Sequence, residues 1–292
     1  MRIFVTGGSG YIGRAVLAEL SRRGHTVGAL ARSDAAASFV RGLGAQPVVG
    51  SLETLDVVEG AAAEHDATIH IPGIASPDDV AREVRVLDVL LRAATSGYPL
   101  IYTSGAWVYG DRGDAVIDED APLKPIALVA WRPAHEARVL AAAERGVRAV
   151  VIRPAVVYGD GGGIVGRFVA GAQAGPLKVV GSGANRWPTV RVDALAELYA
   201  AAVEQPAARG IYNAVAAASV PYVEIARAAS RAGGGNGAIE HLTYENACST
   251  MGPFAEALVL DLQLSAEKAK RELGWNPHRP TVLEELANTV VV

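Results

Sequence analysis

The chain has 292 residues, 50% of them hydrophobic and 20% charged, enough to bury one large core, or a core with a smaller lobe, and this excludes wholesale disorder. A net charge of −4 provides no broad basic surface, so nucleic acid is not an expected partner. The single cysteine, Cys248, excludes an internal disulfide and a cysteine-rich metal site and fits a reducing cytoplasm, and the opening MRIFVTGG breaks into glycines too early for a leader or a membrane span.

In chain order, short β-branched or apolar runs predict strands at Arg2–Thr6, Thr26–Leu30, Pro47–Val49, Thr68–Ile71, Leu100–Thr103 and Arg148–Ile152, with a later one at Gly210–Ala214. Their near-continuous hydrophobicity fits strands covered on both faces. Between them, Tyr11–Arg23, Ala35–Arg41, Asp78–Thr95 and Ala134–Arg145 carry apolar residues at helical spacing. The alternation argues for an α/β fold of Rossmann type, a doubly wound parallel sheet. In the third helix Val80, Val84, Leu87, Leu91 and Ala94 share one face, widened by Val86, Val89 and Leu90. That stripe packs either on the sheet or, in part, on a second subunit, which would make the protein a homodimer.

After Tyr158 the glycine-rich stretches Asp160–Gly163, Gly171–Pro176 and Gly233–Gly237 read as loops. The chain returns to the sheet near 210–214. This predicts a sheet domain over residues 1–158, completed by about 190–215, and a small C-terminal substrate lobe assembled from 159–189 and 216–292.

The run Thr6-Gly7-Gly8-Ser9-Gly10-Tyr11-Ile12-Gly13 lies between the first strand and the first helix, the context in which a glycine turn binds a dinucleotide. Gly7 would permit the tight turn, Gly10 the approach of a pyrophosphate, and Gly13 close helix–strand packing, with the helix N-terminus facing the phosphates. At the end of the second strand no carboxylate stands where it would bind ribose hydroxyls, although Asp34 lies close by. Arg32 and Ser33 stand there instead and suit a 2′-phosphate, so NADP(H) is expected rather than NAD(H).

The motifs TGGSGYIG (6–13), YTSGAWVYG (102–110), RPAVVYG (153–159), VRVDALAELY (190–199) and KRELGW (270–275) together resemble the extended short-chain dehydrogenase/reductase family of NAD(P)-dependent epimerases, dehydratases and reductases. The resemblance covers nearly the whole chain. It implies that Ser9, Tyr11 and Ile12 join the glycines at the cofactor, with Ser51, Leu52, Ile71, Pro72, Gly73 and Thr103 lining it at strand ends. It also places Pro154 and Ala155 at the nicotinamide end and a small lobe over the substrate. Near the C-terminus, Ser265 reads as an N-cap for Ala266–Leu273 and Gly274 as its left-handed stop.

The sequence departs from that family at the catalytic positions. The family carries Ser or Thr four residues before the tyrosine of VYG, where this chain has Gly105, and a later Tyr-x-x-x-Lys pair, although no tyrosine lies between Tyr109 and Tyr158. Alignment on Glu136 puts Leu128 and Arg132 in the two places; alignment on the aromatic residue puts Trp131 and His135 there. Thr103 and Ser104 are expected to turn away from the site, because successive strand residues face opposite sides.

The nearest replacement proton donors are Tyr109, Ser104 and His135. Each also has an ordinary structural reading: a packed aromatic, a strand-end cap and an exposed first-turn residue. Arg132 would bind a substrate carboxylate or the cofactor ribose, and Arg186 and Arg191 an acidic group or surface ion partners. Trp107, Trp131 and Trp187 suggest an aromatic-walled pocket. The six histidines show no metal-ligand spacing and the GxSxG pattern of hydrolases is absent, so no metal is expected.

The leading expectation is a cytoplasmic NADPH-dependent oxidoreductase acting on a small carbonyl, imine or enone substrate with a non-standard proton donor. The alternatives are a non-catalytic NADP(H)-binding sensor or scaffold, and an epimerase or dehydratase with tightly held cofactor.

Overall fold

The computed structural model of the chain describes residues 1–73 and 76–289. Runs such as Ile3-Phe4-Val5 and Val150-Val151-Ile152 lack polar alternation because both faces of their strands are covered. Ile3, Val5, Val150 and Ile152 join one hydrophobic cluster, while Phe4 and Val151 join the cluster on the opposite face. Seven strands pair this way: β1 (Arg2–Thr6), β2 (Thr26–Ala31), β3 (Gln46–Val49), β4 (Ala67–His70), β5 (Pro99–Thr103), β6 (Arg148–Pro154) and β7 (Gly210–Ala214). They form one parallel sheet in the order β7-β6-β5-β4-β1-β2-β3. The order reverses at β1, so a crevice opens beyond the C-terminal ends of β1 and β4, where ligands bind in sheets of this type.

The helices include α1 (Tyr11–Arg22), α2 (Asp34–Gly42), α3 (Leu55–Glu64), α4 (Pro77–Ala93), α5 (Arg132–Ala141), α6 (Gly163–Gly171), α7 (Val192–Glu204) and α8 (Tyr222–Ala232), with shorter ones after α8. Helix α3 has no counterpart in the sequence reading. Its alanines and Gly60 give little amphipathic contrast, and Thr54, its N-cap, turns its hydroxyl back to the Ser51 carbonyl (2.8 Å) instead of capping.

Helix α4 opens on a capping box between Ser76 and Asp79. Val86, Leu87, Val89 and Leu90 are buried beneath it, each such side chain contributing about 1.5–3 kcal/mol of transfer free energy. Val84, expected on the same face, is 38% exposed.

A third cluster is assembled from residues after β6, drawing Val156, Tyr158 and Val165 together with Ile225, Leu258 and Leu286. Trp187 stacks on Tyr222 within it at 4.3 Å, so this tryptophan is core rather than pocket wall. The helix near the C-terminus runs over Glu267–Leu273 with Ala266 at its boundary, ahead of a last helix over Val282–Asn288; Ser265 still accepts from the Glu267 N–H (3.2 Å), and Gly274 takes the left-handed conformation at φ 64°. The Trp275 indole then donates to the Ala194 carbonyl (2.8 Å), tying the tail to α7. Among the described residues no helix is long and apolar enough to cross a membrane.

Candidate functional site

The glycine turn between β1 and α1 is required by its packing. Gly7 has φ 73°, and a Cβ there would lie 2.2 Å from the Ile71 carbonyl oxygen. A Cβ on Gly13 would lie 2.0 Å from the Gly7 oxygen, so only glycine lets α1 start this close to the strand. Gly10 caps α1 without a side-chain bond, and no acidic residue occupies the first turn. The first N–H groups of a twelve-residue helix are thus free to meet an anion.

A cleft of about 420 Å³ runs from this turn past the ends of β2 and β3, lined by Gly7, Ser9, Arg32, Ser51, Leu52 and Gly73 of the expected residues. Glu53, from the segment after β3, and Asp79 and Arg82, brought in by the start of α4, also line it, and sequence reasoning missed all three. The only signal for Asp79 and Arg82 was the Ser76-x-x-Asp79 capping box. Arg82 is paired with Asp79 and lies 3.5 Å from Glu53, whereas Arg32 is exposed and makes no hydrogen bond or ion pair among the described residues. Ser33 does not line the cleft: its Oγ accepts from the Ala36 N–H (3.2 Å) and caps α2. Ile71 and Pro72 also lie outside it, the Ile71 carbonyl instead backing Gly7.

A second cavity of about 310 Å³ adjoins the turn on the other side, where Tyr11, Ile12, Pro154 and Ala155 meet Ser104, Trp107, Trp131 and Arg132. The seat of Tyr11 explains the DGGG loop: its hydroxyl donates to the Gly159 carbonyl (2.8 Å), and a Cβ on Gly162 would lie 2.1 Å from its ring. Burial, with Asp160 nearby, pushes the Tyr11 phenol well above its ordinary range, so it stays protonated.

Strand parity decides which hydroxyl reaches the cavity. Thr103 shares the face of Ile101, and its Oγ1 pairs with the Tyr199 hydroxyl of α7 (2.7 Å), away from both cavities. Ser104 faces the cavity, contrary to the sequence expectation; its N–H is held by the Ile152 carbonyl (2.8 Å), while its buried Oγ has no partner. Arg132, at the first turn of α5, donates to the Thr103 carbonyl (3.2 Å) and lies 4.6 Å from the Trp131 ring centroid. Its Nε is buried without a partner. Burial lowers its pKa from the ordinary arginine value.

Two of the three predicted proton donors are elsewhere. Tyr109 is fully buried; its hydroxyl donates to Asn213 Oδ1 (2.8 Å) and accepts from Arg153 (2.7 Å), and burial, opposed by Arg153, pushes it up to about 12. Arg153 also donates to both oxygens of Glu136 (3.1 and 2.6 Å), forming a buried pair behind the site. His135 is buried rather than exposed, edge-on to Trp131 at 5.0 Å, with Nδ1 unpartnered; it does not line the cavity. Arg186 pairs with Asp114 and Asp261, and Arg191 with Asp160, Asp193 and Glu285, so both are structural ion partners. Among the described residues no group of three or more His, Cys, Asp or Glu side chains could hold a metal ion.

Comparison with known proteins places these features. Residues 3–215 match the NAD dependent epimerase/dehydratase family. An uncharacterised protein of Schizosaccharomyces pombe is 32% identical over 99% of this chain and 99% of its own length. The 4-hydroxy-2-methyl-3-oxo-4-farnesyl-3,4-dihydroquinoline-1-oxide ketoreductase of Stigmatella aurantiaca is 37% identical over 54% of this chain and 51% of its own. Among solved structures, a dTDP-glucose 4,6-dehydratase of Streptomyces venezuelae with NAD bound superposes with a TM-score of 0.82, covering 99% of this chain and 96% of that one at 20% identity, which speaks to the fold.

Proposed function

The chain belongs to the NAD dependent epimerase/dehydratase family, and from that premise we propose that it is an NADPH-dependent oxidoreductase that reduces the carbonyl, imine or enone group of a small, largely apolar substrate. The observation that carries this reading is the composition of the second cavity. It sets one buried, unpartnered hydroxyl, Ser104, and one cation, Arg132, among aliphatic and aromatic walls beside the glycine turn.

The glycine turn fits a dinucleotide by the test of its own packing: a Cβ at Gly7 or Gly13 would collide with backbone, and the first turn of α1 is left open to phosphate. A bound nicotinamide nucleotide would supply the hydride. Gly10 and Ser9 would hold its pyrophosphate, and Arg32, with no hydrogen bond or ion pair among the described residues, would meet a 2′-phosphate. The family description names NAD; the preference for NADPH rests on Arg32 and on the absence of a carboxylate at the end of β2.

Ser104 then donates its unused O–H to the substrate oxygen as negative charge gathers there, a preorganised donor of the kind worth about two to three powers of ten in rate. Arg132 adds a fixed positive potential and keeps its own proton at neutral pH, so the proton that completes the product comes through Ser104 from water. Epimerase or dehydratase chemistry needs a base to start it, and no carboxylate, histidine or lysine lines the cavity among the described residues. The Stigmatella relative, a ketoreductase by name, supports carbonyl reduction in the same direction.

The test is NADPH consumption, followed at its absorbance, against a panel of small ketones, imines and enones. Ser104→Ala is expected to lower kcat/KM by about 100- to 1,000-fold on any active member while leaving NADPH affinity unchanged. Tight NADPH binding without turnover across the panel would favour the sensor reading, and failure to bind either nucleotide would overturn the cofactor assignment.

A further inference from the structure

Among the described residues lining the 310 Å³ cavity, Arg132 alone carries a formal charge. Glu136 and Glu83 act on it through space, but neither is in direct contact with it. Glu136, one turn along α5, is held by two hydrogen bonds from Arg153, and Glu83 is paired with His70 at 2.7 Å. No carboxylate lies within ion-pair distance of Arg132 among the described residues. The guanidinium is nevertheless fixed in orientation, by the Thr103 carbonyl at one nitrogen and by the Trp131 ring beneath it, with Nε left bare.

A guanidinium enclosed by apolar walls without a counter-ion is unfavourable, and a protein gains by keeping it there only if an anion arrives to meet it. The flat fork of donors matches a carboxylate, and the walls formed by Trp107, Leu128, Trp131 and Ile164 suit a short apolar body.

Building on the reductase reading, we propose that the substrate carries a carboxylate on a short, largely apolar body and that Arg132 anchors it, setting the reducible group against Ser104. Arg132 is in this account a substrate-binding residue. The competing role, a grip on the cofactor's ribose or phosphates, is separated from it by the experiment.

Protein saturated with NADP⁺ is titrated calorimetrically with 3-phenylpropanoate and 4-phenylbutanoate and with the primary amide of each. The acids are expected to bind roughly tenfold or more tighter than their amides. That preference should collapse in Arg132→Gln and Arg132→Leu, with NADP⁺ affinity unchanged. Equal binding of acid and amide by the unaltered protein overturns the proposal, as does acid binding no stronger than millimolar. A variant that loses NADP⁺ affinity but keeps the acid preference moves Arg132 to the cofactor and overturns it too. The acid–amide comparison needs neither a folded variant nor turnover: acid preference without reduction of any carbonyl keeps the anchor and sinks the reductase, while turnover without acid preference does the reverse.

Discussion

Arg153 and Arg132 are neighbours behind and within the site, and their surroundings differ in one respect that separates structure from function. Arg153, 2% exposed, has every side of its guanidinium answered: two bonds to Glu136, one to Tyr109, and the Tyr109 ring 4.8 Å from its centre. Arg132, which lines the cavity, has one bond to a backbone carbonyl and a buried Nε without a partner. A satisfied buried cation locks elements together, here β6, α5 and the turn bearing Tyr109. An unsatisfied one is a cost to the empty protein and a binding site for something else.

The contrast can be tested by removing partners. Glu136→Gln leaves Arg153 buried opposite a neutral amide, and the expected loss is about 3–5 kcal/mol of stability, measured by urea unfolding. A loss under about 1 kcal/mol would mean that the network is not structural. A third arginine extends the comparison to the surface of the cofactor cleft. Arg32→Ala should weaken NADPH binding by about ten- to a hundredfold by calorimetry and leave NADH unchanged, the sign of a lost phosphate contact; equal effects on both nucleotides would place Arg32 on a part they share.

Arg132→Met, in contrast to the Glu136 variant, should leave urea stability within about 1 kcal/mol, because the lost backbone bond is offset by relief of an unpaired charge. A loss above about 2 kcal/mol would make Arg132 structural like Arg153.

The smallest expected effect concerns pH. Burial holds His135 below its ordinary value of 6.5, with Glu83 opposing. The unfolded chain therefore binds more protons than the folded one below that value. Stability is complete above about pH 6.5 and falls as the pH drops, by at most about 1.4 kcal/mol per pH unit. His135→Phe should flatten the urea midpoint between about pH 6.5 and 5; an unchanged slope would show that His135 does not titrate there.

Much of the fold was legible because its signals are local. The seven strands lie within two residues of their predicted limits, since continuous β-branched runs and doubly covered parallel strands are the same physical statement. The glycine turn was legible for a similar reason: Gly7 and Gly13 are required by backbone contacts between adjacent elements. Helix α3 was not, because Leu55–Glu64 lacks both a strong apolar stripe and a working side-chain cap. Nor were Asp79 and Arg82, which reach the cofactor cleft only through the docking of α4, nor Glu53 from the segment after β3.

At the site, the sequence determined the inventory and the tertiary structure decided its use. Tyr109, Ser104, His135 and Arg132 were all visible as candidates, but sequence spacing does not say where a side chain points once a strand ends and loops begin. The pleat of β5 turned Thr103 toward Tyr199, and the turn after it turned Ser104 into the cavity. Arg153, from a strand laid beside β5, took Tyr109 out of reach. Burial of α5 against the sheet enclosed His135 and left Arg132 as the one charge among the described residues lining the cavity. These outcomes depend on which partners from distant parts of the chain satisfy each polar group, and only packing settles that.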